Sequence, residues 1–224
     1  MSESDDLELS WSGRWTLTHR ILAVNILTLI LLALSILYLD AFRNQLSQER
    51  IRQAQREAAV TARMLDQVPP ARRARALGSA ANASRSRMRL YDASGALVAD
   101  SWRLTGPTYE LRDPTTQKWT KDAARALDRG FNALVGAEPI EDFVEPRGDR
   151  LDAWPEALEA KGSGEVASEV RSAPDLTPVF SAAAPTAGGV LLVTANDRSF
   201  TRTVRSQRAA LAAAMAFAAI LSIL

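Results

Sequence analysis

Ile21 to Leu39 is a run of 19 residues without a charge, and Ala209 to Leu224 is a second apolar run of 16. A membrane-spanning helix needs about 20 predominantly apolar residues, with roughly 17 as the lower bound. The first run is therefore long enough to span, and the second reads as a span cut short. Between them, residues 40–208 are rich in charge and in turn formers. That layout predicts an extracytoplasmic domain held between two membrane helices, with any output part lying beyond Leu224.

The first run is too long for a cleaved signal peptide. Such a segment has a basic start, a core of about 7–15 apolar residues and a small-x-small cleavage site. Here Glu3, Asp5, Asp6 and Glu8 precede it and no such site follows. Trp15 and Tyr38 bracket the run, as interfacial aromatics do. Arg14 and Arg20 lie before it, while Arg43, Arg50, Arg52 and Arg56 lie after it. A bare count of positive charges would place the N-terminus outside. The rule governs short loops, however, and long domains translocate largely regardless of charge. The expectation is a cytoplasmic N-terminus.

Composition closes several routes. The net charge of +1 gives no case for nucleic acid. With no cysteine, disulfides, thiol catalysis and Cys-ligated zinc are out. The single histidine, His19, precedes the span, so the domain has no Ser-His-Asp triad. Neither GxxxxGK[ST] nor GxGxxG occurs.

The helix should continue past the membrane. Residues 42–65 hold no Gly or Pro, and Pro69-Pro70 ends the pattern. Ile51, Ala54, Ala58, Thr61, Leu65 and Val68 recur at three-to-four spacing. This stripe either packs on its own domain or forms a parallel dimer helix that carries motion into the membrane; different faces can do both. A short second helix is expected over 71–81, with Arg72, Arg73 and Arg75 on a solvated face. The period then changes to two: Ser86–Tyr91 alternates, with Met88 and Leu90 on one face. Asp92-Ala-Ser-Gly95 is a turn and residues 97–101 form a second strand. Residues 102–118 read as loop, 120–133 as a helix capped by Thr120 and closed by Gly136, 137–152 as loop, and 155–161 as a short helix. Strands are expected over 164–171, 178–184 and 189–195, with Val190–Val193 central and a tight turn over 185–189. Asn196-Asp197 would cap an exit helix from about Arg198. The fold expected is α+β: an antiparallel sheet of about five strands with a long N-terminal helix on one face, an architecture that resembles PAS-like sensor domains.

Five carboxylates, Glu138, Glu141, Asp142, Glu145 and Asp149, fall within 12 residues alongside Pro139 and Pro146. Crowded carboxylates repel and titrate high, so protonation or a cation would reshape the segment. The alternative is a solvated acidic loop; no EF-hand spacing is present. Glu110, Arg112 and Asp113, with Trp102 and Trp119, either line a pocket or pack. Ala210, Ala214 and Ala218 give the second run a small-xxx-small face.

Two stretches carry a resemblance. Arg14-Trp-Thr-Leu-Thr-His-Arg-Ile-Leu-Ala-Val-Asn25, with Leu37-Tyr-Leu-Asp-Ala-Phe-Arg43 beyond the span, is similar to the N-terminus of ChvG/ExoS-type sensor histidine kinases of alphaproteobacteria. Arg87-Met-Arg-Leu-Tyr-Asp-Ala-Ser-Gly-Ala-Leu-Val-Ala-Asp-Ser101 resembles the hairpin of that sensor domain, and Gly162 to Arg205 is also similar. The resemblance implies a homodimeric, multi-pass inner-membrane kinase whose periplasmic domain detects acidity or a periplasmic regulatory protein. It divides the chain into a cytoplasmic tail (1–20), a first span (21–39), a periplasmic PAS-like sensor domain (40–208) and a truncated second span (209–224). The kinase part, with its ATP, Mg2+ and cognate response regulator, would lie downstream, so no catalytic residue is expected here. Ile51, Ala54, Ala58, Leu65, Ala210, Ala214 and Ala218 are then candidates for dimerisation and transmission, and the five carboxylates for sensing. The rival readings are the same input on a chemoreceptor or cyclic-dinucleotide enzyme, and a two-span binding protein without an enzyme.

Overall fold

A computed structural model describes residues 17–111 and 140–197, together with isolated positions between 130 and 136 and between 203 and 214. The chain divides into two compact units, residues 1–39 with 207–224 and residues 40–206.

Helix α1 (Leu17–Gln67) is unbroken over 51 residues. It contains no Gly or Pro and stops where Pro69-Pro70 removes both the amide donors and the space for another turn. Its first part belongs to the first unit. The most apolar stretch there has a mean hydropathy of 2.5 and is only 6% buried. Leu22, Leu27, Leu29, Leu31, Leu34 and Leu37 all stand open. Surface of that kind is what acyl chains cover. Its hydroxyls are satisfied inside the helix: Thr28 donates to the Val24 carbonyl at 2.8 Å and Ser35 to that of Leu31 at 2.7 Å. In the same unit Gln207 and Ala210 line a groove with Leu31, Leu34 and Tyr38. Ala210 and Ala214 are helical and exposed, and Ala218 lies outside the described residues.

The second unit is an α+β domain. Helix α2 (Pro70–Ser84) starts with proline in its first turn and ends at Arg85, whose φ of 55° is left-handed. Strands β1 (Arg87–Asp92) and β2 (Leu97–Asp100) form the expected hairpin. Helix α3 (Ser101–Thr105) follows at once, capped by Asp100, whose side chain accepts from the Trp102 N–H at 3.0 Å. This corrects the reading of 102–118 as loop from its start: Asp100 caps a short helix that Gly106 ends, and the loop begins only there. The predicted helix over 120–133 lies outside the described residues. A single 3-10 turn (Leu151–Ala153) leads into helix α4 (Pro155–Ser163), and Gly164 at φ 73° closes it. Strand β3 (Ala167–Ser172) therefore starts three residues later than the sequence suggests, because Gly164 ends a helix and opens no strand. Strands β4 (Pro178–Thr186) and β5 (Gly189–Asn196) are joined through Ala187-Gly188, a tighter turn than the predicted 185–189. The exit helix predicted from Arg198 begins outside the described residues.

The five strands pair antiparallel in the order β2-β1-β5-β4-β3. β5 is central, as its run of Val and Leu requires. The period-two alternation separates two cores. On one face Met88, Leu90, Ala182, Leu191 and Val193 meet Ala54, Ala58, Ala62 and Leu65 of α1 and Leu77 and Ala81 of α2. On the other, Tyr91, Val179, Ala183, Val190 and Leu192 meet Phe143, Leu151, Trp154, Ala157 and Ala160. Ala54, Ala58 and Leu65 are therefore used within their own domain: the stripe is an intradomain seam, and its alanines bring the helix axis close to the sheet. Ile51, at its upper end, is half-buried.

Candidate functional site

The alternation that sends Met88 and Leu90 towards α1 sends Arg87, Arg89 and Tyr91 to the opposite face. Three polar side chains on a buried strand face need partners there. A strap, residues 141–151, supplies them. It is stitched to both sides of the sheet. At the β3 edge Phe143 N–H donates to the Ser172 carbonyl, and Ser172 N–H to that of Glu141, both at 2.7 Å. At the β1–β2 turn Leu151 N–H donates to the Gly95 carbonyl at 3.1 Å. Between these anchors two carboxylates turn inward. Glu145 accepts from Arg87 Nη1 at 2.8 Å and, through both oxygens, from Arg89 Nη2 at 3.0 and 2.9 Å. Asp149 accepts from the Tyr91 hydroxyl at 2.5 Å and stands 3.1 Å from Arg89 Nε, close enough to pair in charge but not aligned as a hydrogen bond.

Aromatic rings wall the arginines. Arg87 lies 4.2 Å from the centroid of Trp102, and Arg89 4.7 Å from that of Trp154. Tyr109 meets Trp102 edge-on at 4.8 Å. Asp100, 3% exposed, takes Arg87 in a two-pronged pair at 3.1 and 2.8 Å. Burial pushes the Asp100 carboxyl up, but Arg87 and the Trp102 N–H outweigh it and hold the group below the ordinary carboxylate range. Arg171 of β3, 5.7 Å from the Trp154 ring centroid, forks onto Glu156 of α4 at 2.9 and 2.8 Å, and the Ser181 hydroxyl adds a third hydrogen bond to Glu156. The balance is the same: burial raises Glu156, and Arg171 with Ser181 lowers it further. Burial and then the Asp149 hydrogen bond push the Tyr91 phenol up, so it stays a neutral donor.

Of the five sequence candidates, Glu145 and Asp149 come together here, facing arginines instead of one another, so the expected carboxylate repulsion does not govern these two. Glu141 and Asp142 are exposed at the β3 edge, and Glu138 lies outside the described residues. Trp102 walls Arg87, while Glu110 is exposed; Arg112, Asp113 and Trp119 also lie outside. Sequence reasoning missed Arg87, Arg89, Tyr91, Asp100, Glu156 and Arg171. The signal available was Arg-x-Arg-x-Tyr in an alternating strand whose other face was already assigned to the core.

The arrangement holds paired charges on one face of the sheet. Residues 11–73 match the family model of a sensor N-terminal transmembrane domain, and residues 68–175 match that of a stimulus-sensing domain. No curated protein and no solved structure matches. The two matched stretches overlap over residues 68–73, at the junction of α1 and α2, and make this sequence the input region of a membrane sensor kinase.

Proposed function

We propose that this input region belongs to a two-component histidine kinase of the ChvG/ExoS type, and that the strap over β1 is its sensing element. The domain is PAS-like and periplasmic, the protein a homodimer in the inner membrane with a second span after the sheet. It detects an envelope signal such as acidity or a periplasmic regulatory protein. The kinase part would use ATP and Mg2+ and pass the phosphoryl group to a cognate response regulator. The observation that carries the reading is the docking of Glu145 and Asp149 on Arg87 and Arg89. The strap is thereby fixed to β1, β1 to β5, and the end of β5 to α1 through Arg50 and Asp197 at 2.8 Å. A stimulus that loosens the strap changes the strand leading out of the domain. Dimer contacts would then fall on faces of α1 other than the Ala54–Leu65 seam, and Ala210, Ala214 and Ala218 would serve the packing of the spans.

The test is autophosphorylation of the full-length kinase in membranes, from neutral to acid pH. Glu145→Gln with Asp149→Asn removes the charge and keeps the shape. Charge-assisted hydrogen bonds contribute about 1.5–3 kcal/mol each, so the output should change by about tenfold or more. Output identical to the parent's at every pH would dismiss the strap as the sensing element.

A further inference from the structure

Arg89 is 0% exposed, yet its Nη1 has no hydrogen-bond partner. A guanidinium carries five donors, and leaving one unmet in the interior is costly. Two further buried groups on the same side of the sheet are also unpartnered. One is the Tyr109 hydroxyl, within electrostatic reach of Arg89, Glu145, Arg87 and Asp100. The other is the Thr194 hydroxyl, whose residue lies directly opposite Arg87 in the ladder. The site is thus built with more hydrogen-bonding capacity than Glu145 and Asp149 use.

Charge decides what it accepts. Four arginines (Arg87, Arg89, Arg103, Arg171) pair with four carboxylates (Asp100, Glu145, Asp149, Glu156), so no positive charge is left over. A further anion is therefore tolerated only if it replaces a member. Glu145 is the member open to replacement, because its side chain is 38% exposed against 2% for Asp100, 16% for Asp149 and 0% for Glu156.

We propose that Arg87 and Arg89 form a binding site for a small organic carboxylate, and that Glu145 occupies it as a built-in competitor. The inference rests on the strap being the sensing element, and gives it a ligand class. The incoming carboxylate takes the Arg87 Nη1 and Arg89 Nη2 donors from Glu145 and gains Arg89 Nη1 and the Tyr109 hydroxyl, which Glu145 leaves unused. Trp102 and Trp154 wall the exchange.

Acetate is the probe, titrated by calorimetry into the whole chain in lipid nanodiscs, with sodium chloride at matched ionic strength as reference. A tethered competitor acts at an effective concentration of order millimolar, so Glu145→Ala should tighten acetate binding about tenfold or more. Glu145→Gln, which keeps the bulk, should tighten it less. Adding Tyr109→Phe to Glu145→Ala should weaken acetate about tenfold, the value of one hydrogen bond to a charged group. Heat no different from that of chloride in all variants overturns the proposal, and the unmet donors then bind water. Binding that Tyr109→Phe leaves unchanged overturns it equally. Failure here leaves the strap's effect on kinase output standing, whereas an unchanged output beside intact acetate binding removes the sensing role and keeps the site.

Discussion

Glu156 and Arg171 show how far a residue pair depends on its setting. Both side chains are almost wholly buried and joined by two short hydrogen bonds, with Ser181 taking up a further lone pair. A buried ion pair adds little net stability over an apolar pair of the same shape, but removing one partner strands the other charge, at roughly 3–5 kcal/mol. Glu156→Gln should thus destabilise the sensor domain by roughly 3 kcal/mol, and Glu156→Leu with Arg171→Met by clearly less than the single variant. Chemical denaturation of the single and paired variants checks this. Equal losses in the single and the pair would mean that the carboxylate acts through Ser181 and not through Arg171. The pair was not legible beforehand. Its members are 15 positions apart on different elements, and nothing in Glu156 alone distinguishes it from the exposed Glu159 on the same helix.

At the scale of elements, the ends of the secondary structure were legible wherever Gly or Pro marked them. Pro69-Pro70 stops α1, and the β1–β2 turn falls where Asp92 and Gly95 place it. The misses share a cause. α3 and the late start of β3 are decided by one-residue caps, Asp100 and Gly164, whose roles depend on which element has priority. Arg85 is a cap of unfavourable type: it holds φ 55° at the end of α2, where a residue with a Cβ is strained. Arg85→Gly should stabilise the domain by roughly 0.5–1 kcal/mol, read as a higher unfolding midpoint. Gly189 is the opposite case. A Cβ there would overlap the Tyr91 carbonyl oxygen and crowd the Asp92 backbone. Backbone cannot yield as a side-chain tip does, so Gly189→Ala should cost on the order of 3 kcal/mol. A loss under about 0.5 kcal/mol would show that β1 and β5 separate at that end without penalty.

For the molecule as a whole, the sensor domain must keep its frame while its surroundings change. Asp100 and Glu156 are each buried in an ion pair with an arginine, and both are held below their ordinary values of 3.8 and 4.5. A carboxyl with a lowered folded value adds stability that is fully present above its unfolded value. That stability disappears as the pH falls through the folded one. These two groups therefore support the domain undiminished from neutral pH down to about 5, and their contribution fades only below about 4.5, Glu156 first on its unfolded value. A fall to mildly acidic pH therefore leaves these two pairs closed. The membrane-borne layout and the α+β class follow from apolar runs and period alone. The docking of the strap on β1 does not, since it depends on which carboxylate meets which arginine across 56 or 58 positions of sequence. Thermal unfolding at pH 7, 5 and 3.5 is the measurement. The midpoint of the Glu156→Gln variant should run parallel to the parent's between pH 7 and 5. Below pH 4.5 it should fall less steeply, because one of the two depressed carboxylates is gone. A variant curve that diverged from the parent already between pH 7 and 5 would put Glu156 among the groups that titrate with the signal, and outside the frame.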